Sequence, residues 1–338
     1  MAAEGWLRNA QARALKVDPG NRFALLLAFG HDCAGAVSVI DPAPLAEPTI
    51  DIGDPMAVAA LTSRASLSGI QPKILAVKED QNYRPARLTE ASTFIAKLPS
   101  GALRDIVENE YLTTIACCAL LPDDEIVEPM IGQLQGINER ALIVPRFDRR
   151  PSGAKRHFEE FNQLLGKRGD DKYDASYDDM AAFIRNTPGC APADAWRLFR
   201  RILVCLLTGN TDAHLKNFAM FHTPDGLRLA PGYDLVAAAL YPEYRQLALA
   251  IGTASNLVLE QVRPKHIVAL SEAYGLDAAI LVDVVQTLER RREAAKTAVA
   301  KAATRIGQET LGQRLVQFVE KRWNGSFKSI GPFLSKKR

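Results

Sequence analysis

Apolar residues at helical spacing open the chain. Trp6, Leu7 and Leu15, and then Phe23 to Phe29, give apolar faces to two short helices over residues 6–30, with Asp18-Pro19-Gly20 as the turn between them. Val37 to Ile40 reads as a short strand, and the proline-rich stretch from Asp41 to Pro55 has no period and reads as a connector. The pattern then shortens to strand length. Leu67 to Val77, Arg84 to Leu88 and Thr93 to Leu98 predict an antiparallel sheet, with Glu79-Asp80-Gln81-Asn82 turning the chain between the first two. Ile106, Leu112, Ile115, Ala119 and Leu120 return to helical spacing from about Leu103 to Leu121, and Pro122 stops that helix. Ile126-Val127 and Ala141 to Val144 add strands, and beyond Arg149-Arg150-Pro151 the character is mostly helical.

Two later segments are strongly patterned. Trp196, Phe199, Ile202, Leu203, Leu206 and Leu207 recur at i, i+3, i+4, and Gly209 suits a helix C-cap. Pro264 to Trp323 is again helical, where Glu289-Arg290-Arg291-Arg292-Glu293 reads as a solvated face. No internal repeat is visible.

Composition narrows the class. At 338 residues the chain is long enough for two lobes, and 47% apolar with 24% charged side chains is the balance of a folded globular protein. A net charge of +3 from 42 basic and 39 acidic residues is too small to predict non-specific nucleic-acid binding by the whole molecule. The first residues carry dispersed charges and do not read as a signal peptide, and no apolar run is long enough to cross a bilayer. Cys33, Cys117, Cys118, Cys190 and Cys205 form no CxxC pair, which suits reduced, buried thiols and a cytoplasmic protein with no membrane contact.

The chemistry concentrates after the helix that ends at Gly209. Asn210-Thr211-Asp212-Ala213-His214-Leu215-Lys216-Asn217 precedes an apolar strand, Phe218 to Phe221. Thr223-Pro224-Asp225-Gly226 makes a turn, and Leu227 to Ala230 return toward Gly232-Tyr233-Asp234, which would bring Asp234 beside Asp212 and Asn217. Phosphoryl transfer uses such a grouping: a carboxylate facing the attacking hydroxyl, and an amide oxygen with a second carboxylate for magnesium, a hard cation that takes oxygen ligands. The Asp-x-x-x-x-Asn spacing of Asp212 and Asn217 equals that of protein-kinase catalytic loops. His214 either braces this loop or is a satisfied structural histidine. Upstream, Lys97 in Phe94-Ile95-Ala96-Lys97-Leu98 needs anionic company if buried, which nucleotide phosphates and Glu110 on the following helix would supply; alone, it equally suits a lysine snorkelling from an edge strand. The run Ser63 to Gln71 is neither a GxGxxG nor a Walker sequence, and its small residues suit either a phosphate-contacting loop or an ordinary turn. Val144-Pro145-Arg146-Phe147 reads either as a lobe connection offering backbone groups to adenine or as a plain edge strand.

Together these blocks resemble the HipA family of bacterial serine/threonine kinase toxins. The resemblance rests on Ser66 to Lys73, Ile95-Ala96-Lys97-Leu98-Pro99, Asn109-Glu110-Tyr111, Arg146-Phe147-Asp148-Arg149 and Lys172-Tyr173-Asp174-Ala175-Ser176-Tyr177. It is completed by Thr211 to Phe218 and by Ala230-Pro231-Gly232-Tyr233-Asp234. It implies an α+β, bilobal, protein-kinase-like fold with a small β-rich N-lobe and a mostly helical C-lobe. The divisions would be 1–55 as a partial N-terminal subdomain and connector, 56–145 as N-lobe and 146–338 as C-lobe.

The resemblance further implies ATP and Mg2+ as cofactors. Asp212 would orient the substrate hydroxyl, Asn217 and Asp234 would bind metal, and His214 and Lys216 would support the loop. Lys97 with Glu110, Arg146, Phe147, Asp148, Ser68 and Gly69 would serve the nucleotide, and Ser66 or Ser68 would be autophosphorylated, which should disfavour ATP by adding negative charge. Implied partners are a HipB-like helix-turn-helix antitoxin, operator DNA mainly through that antitoxin, and an aminoacyl-tRNA synthetase as substrate. The short N-terminal region around Gly5-Trp6-Leu7-Arg8 and Asp32 to Ala36 is similar to the HipT-type kinases, in which a separate small protein supplies the missing piece. Asp234-Leu235-Val236 lacks the DFG glycine and no HRD arginine precedes Asp212, so activation-loop control is not implied. A small-molecule phosphotransferase of the aminoglycoside-kinase type and a catalytically idle nucleotide-binding scaffold are the competing readings.

Overall fold

The computed structural model describes residues 5–40, 71–87, 90–150 and 152–336. They fall into two compact units, one from within 1–108 and 128–158, the other from within 109–127 and 159–338. The first is built on a β-sheet and the second is mostly helical, as expected of an α+β kinase-like fold.

In the first unit, helices Gly5–Leu15 and Arg22–Phe29 pack through Ala12, Leu25 and Phe29. Asn21 starts the second of them by accepting the Ala24 N–H at 3.0 Å. No strand forms at Val37 to Ile40. Val39 N–H bonds the Gly30 carbonyl in a loop contact, and Val37 and Ile40 stay 41% and 69% exposed. β-branched residues favour extended backbone, but no described strand pairs with this segment.

The sheet has five antiparallel strands in the order β2-β1-β3-β5-β4: β1 Lys73–Glu79, β2 Asn82–Pro85, β3 Phe94–Lys97, β4 Met130–Gln133 and β5 Arg140–Pro145. Glu79 faces Asn82, so only Asp80 and Gln81 make the turn, and Asp80 takes a positive φ of 54°. Alternation sorts the side chains onto two faces. Ile74, Ala76, Ala96, Ala141 and Ile143 join one buried cluster, whereas Leu75 and Val77 pack with Ile95 in another. β4 escapes the sequence pattern, because Met130 is 41% exposed and Gly132 adds no side chain. Ile126, expected in a strand, makes only an isolated bridge to Gly232.

The lobe break expected at 145/146 differs from the division of the units. Residues from Asn109 to Val127 already belong to the second one. Within helix Ile106–Leu120, Asn109 both donates to the Ala237 carbonyl and accepts the Ala237 N–H, at 3.2 and 3.1 Å, and Thr113 shares that N–H.

Helix Pro192–Thr208 is the spine of the second unit, with Leu198, Phe199, Ile202, Leu203 and Leu207 fully buried. It ends on Gly209 at φ 85°, where an added Cβ would come within 2.6 Å of the Phe318 ring. Gly209→Ala is therefore expected to cost at least about 1–2 kcal/mol from the left-handed backbone alone, read as a lower urea midpoint with unchanged m-value. After it, β7 Ala219–Thr223 and β8 Gly226–Leu229 form the expected hairpin in a three-stranded sheet with β6 Phe158–Glu160. The helical stretch from Pro264 resolves into helices Pro264–Ala273, Ala278–Ile306 and Glu309–Arg322, broken at Gly275 and Gly307 in left-handed conformation. None of the five cysteines is in a disulfide; Cys33, Cys117 and Cys205 are buried and the other two half-buried. No helix among the described residues is long and apolar enough to cross a membrane.

Candidate active site

The loop from Asn210 to Asn217 leaves the end of the spine helix and is tied down almost residue by residue. Thr211 accepts Ala248 N–H through its carbonyl and donates its hydroxyl to the Tyr244 carbonyl. Ala213 offers its carbonyl to the buried Tyr177 hydroxyl at 3.1 Å, and Leu215 N–H reaches the Lys172 carbonyl. Asp212 is left half-exposed between two buried neighbours, Thr211 and Ala213. Such a carboxylate is presented by a rigid support and still meets solvent.

Asn217 closes a short turn: its side-chain oxygen accepts His214 N–H at 2.9 Å, and its backbone N–H returns to the His214 carbonyl. Its amide nitrogen donates to Asp234 Oδ2 at 2.6 Å. The hairpin thus delivers Asp234 to Asn217, as the sequence predicts. Asp234 adopts a left-handed backbone, φ 58°, which is strained for a residue with a side chain and is the kind of strain that clusters at functional sites. The approach to it is anchored by charge. Arg201 pairs with Asp124 at 2.5 Å and bonds the Ala230 carbonyl, while Gly232 N–H donates to the Glu125 carbonyl and Val127 N–H to the Gly232 carbonyl. Burial opposes the charged form of Asp124, but Arg201 and Arg197 outweigh it and hold the carboxyl below its ordinary range.

The donor set suits a hard divalent cation. Asn217 brings a carbonyl oxygen with one lone pair already used by His214, and Asp234 brings a carboxylate against the same amide. His214 does not belong to that set. Burial, followed by nearby Lys172, pushes its pKa down to about 3, and its Nδ1 meets no hydrogen-bond partner among the described residues, so it is a neutral ring. Its backbone N–H and carbonyl close the turn with Asn217, contacts that do not use the ring. Lys216 offers its carbonyl to the Tyr233 hydroxyl at 2.7 Å.

Beside Asp212 opens a cavity of about 690 Å³. Tyr173, Asp174, Glu243, Tyr244 and Asn256 are among the residues that line it, and among the described residues no lysine or arginine does. Sequence reasoning missed most of this wall, since residues 243–256 form an irregular segment without hydrophobic period. Tyr173 stood only inside the Lys172 to Tyr177 block. Its hydroxyl donates to Asp212 Oδ1 at 3.0 Å.

In the first unit, Lys97 is 5% exposed on β3, on the Ile95 side of the sheet. A buried lysine on a central strand removes the edge-strand alternative. Glu110 is also buried, but in the second unit. Arg146 and Asp148 are engaged with each other in a buried cluster. Arg146 reaches Asp148 at 2.8 Å and Asp32 at 2.9 Å, and Arg149 reaches the same two carboxylates at 2.6 Å each. Asp32 also accepts from Ser92, and Asp148 from Gly35 N–H. Phe147 packs edge-on against Phe158. Ser66, Ser68 and Gly69 lie outside the described residues.

A carboxylate on a rigid loop, followed by an amide and a second carboxylate in contact, on a helical unit accompanied by a five-stranded antiparallel sheet, defines a kinase-like protein. The comparisons agree. Residues 65–309 match the model of the HipA-like C-terminal domain, and residues 1–40 match that of the HipA N-terminal domain. The chain belongs to the HipA family. It is 32% identical over 309 residues to the putative kinase Y4dM of Sinorhizobium fredii, covering 86% of this chain and 73% of that one. It is 30% identical to the serine/threonine-protein kinase toxin HipA of Shewanella oneidensis, covering 82% and 70%. Among solved structures, HipA of the Shewanella oneidensis HipA, HipB and operator DNA complex superposes with a TM-score of 0.75 at 24% identity, over 95% of this chain and 83% of that one. The Helicobacter pylori proinflammatory kinase CtkA shares the fold at a TM-score of 0.54 and 12% identity, over 80% and 93%.

Proposed function

We propose that the chain is an ATP- and magnesium-dependent protein serine/threonine kinase that acts as the cytoplasmic toxin of a bacterial toxin–antitoxin pair. The observation that carries the reading is the Asn217–Asp234 contact at 2.6 Å on the loop that presents Asp212. Asp212 orients and deprotonates the acceptor hydroxyl, and a protein side chain entering the cavity beside it would meet that carboxylate directly. Asn217 and Asp234 would hold Mg2+, which neutralises phosphate charge when bound. Lys97, with its charge on the sheet face opposite the Ala96 cluster, and Glu110 are each assigned to the nucleotide. Because the side chains of Arg146 and Asp148 are engaged with each other, their part at the nucleotide falls to the backbone of residues 146–148.

Carried over from the relatives, the partner is a HipB-like antitoxin that brings operator DNA with it. The substrate is a protein of the translation machinery such as an aminoacyl-tRNA synthetase. Autophosphorylation falls on Ser66 or Ser68.

Intact mass spectrometry after incubation with ATP and Mg2+ tests the reading. Addition of phosphate, mapped to Ser66 or Ser68, is expected; an unchanged mass, with no transfer to any protein acceptor, favours the idle scaffold, and transfer only to small hydroxyl compounds favours the aminoglycoside-type alternative. Lys97→Ala is expected to raise the half-saturating ATP concentration roughly tenfold or more, the loss of one charge-assisted hydrogen bond, with the fold retained by circular dichroism.

A further inference from the structure

A carboxylate can serve as base only if one of its oxygens points at the acceptor, and the terminal torsion of an aspartate is broad and roughly two-fold. Nothing covalent fixes which way Asp212 turns. Tyr173 supplies one such constraint, since its hydroxyl donates to Oδ1 at 3.0 Å. Two side chains contact the tyrosine ring, and the residue before it is bonded to the Asp212 loop. Lys172 Nζ stands 4.9 Å over the ring, the His214 ring meets it edge-on at 5.3 Å, and the Lys172 carbonyl accepts Leu215 N–H from inside the Asp212 loop. Tyr173 is nevertheless 50% exposed, on the wall of the cavity where an acceptor would lie. Burial, then the facing Asp212 carboxylate, keep the phenol well above its ordinary pKa, so it remains a donor at neutral pH.

We propose that Tyr173 is a positioning residue for phosphoryl transfer: by occupying Oδ1 of Asp212 it fixes the carboxylate so that Oδ2 faces the acceptor hydroxyl. The proposal rests on Asp212 being the base. Reactions depend steeply on such aim, since a misdirected base spends most encounters in unreactive geometry. Tyr173 takes no proton from the substrate and forms no bond to phosphorus.

Tyr173→Phe removes only the hydroxyl and keeps the ring that Lys172 and His214 contact. The test follows phosphate incorporation from radiolabelled ATP into the full-length chain at varied ATP concentration, for wild type, Tyr173→Phe and Asp212→Ala. The maximal rate of Tyr173→Phe is expected to fall roughly tenfold, the worth of one hydrogen bond to a charged group, with half-saturating ATP within about twofold of wild type and an unchanged melting temperature. An unchanged rate, with Asp212→Ala inactive, overturns the proposal, and a raised rate overturns it by showing that the phenol obstructs the base. A fall in rate together with weakened ATP use and a lower melting temperature assigns Tyr173 a structural role only and likewise overturns it. Activity retained by Asp212→Ala, or none in wild type, strikes instead at the assignment of the base or of the kinase activity itself.

Discussion

Asp212→Ala is expected to lower phosphate transfer by about 10²–10⁴-fold, the range that a positioned general base contributes, while nucleotide affinity stays within a few-fold. The separation follows from where the residue lies. Asp212 faces a cavity and a tyrosine hydroxyl, while its loop is held through Thr211, Ala213, Leu215 and Asn217, none of which depends on the Asp212 side chain. Truncation therefore removes the carboxylate without dismantling the turn that aligns Asn217 with Asp234. Radiolabel incorporation gives the rate and titration calorimetry gives the affinity. In cells, induced expression of the variant is expected to leave growth unaffected where wild type arrests it. Transfer by the purified variant at a rate near wild type would falsify the assignment.

Asp32→Ala is the largest expected loss of stability, about 3–5 kcal/mol at pH 7. Asp32 is 2% exposed and faces two buried guanidiniums, Arg146 and Arg149, as well as Ser92. Without it, Asp148 alone must balance both arginines, and two charges stay in a place that water does not reach. Urea unfolding followed by fluorescence measures the change. The same cluster sets an acid limit. Burial disfavours ionised Asp32 and Asp148, but Arg146 together with the other donors more than compensates and lowers both pKa values. A lowered folded-state value means that the unfolded chain binds protons first. The stabilisation is thus complete above the ordinary carboxylate value near pH 4 and is lost as pH falls through the lowered values. The loss of stability on acidification should accordingly be shallower for Asp32→Ala than for wild type, and an equal slope would assign the acid limit to other carboxylates.

Local periodicity carried much of the fold. The spine helix, its glycine cap and the β7–β8 hairpin were legible because each rests on near-neighbour spacing, and the hairpin alone was enough to predict that Asp234 returns to Asn217. What was not legible depends on distant partners. Val37 to Ile40 has strand composition but pairs with no strand among the described residues, whereas Met130–Gln133 has poor strand composition but is recruited by β5. The charge cluster joins residues 32, 92, 146, 148 and 149, and no spacing within the chain signals that these meet. Tyr173 and Asp212 are likewise 39 positions apart, so no local pattern signals the hydrogen bond between the Lys172 to Tyr177 block and the Asp212 loop.

Lys97 owes its direction to parity. It lies on β3, the middle strand of five, which is locked to β1 on one flank and to β5 on the other. Sliding β3 by one residue against both neighbours would send the ammonium into the packed layer of Ile74, Ala76 and Ile143 and turn Ala96 outward. Connections on either side of β3 can therefore lengthen or shorten over evolutionary time, but an insertion or deletion inside those four residues reverses the lysine, and no compensating substitution nearby restores its aim.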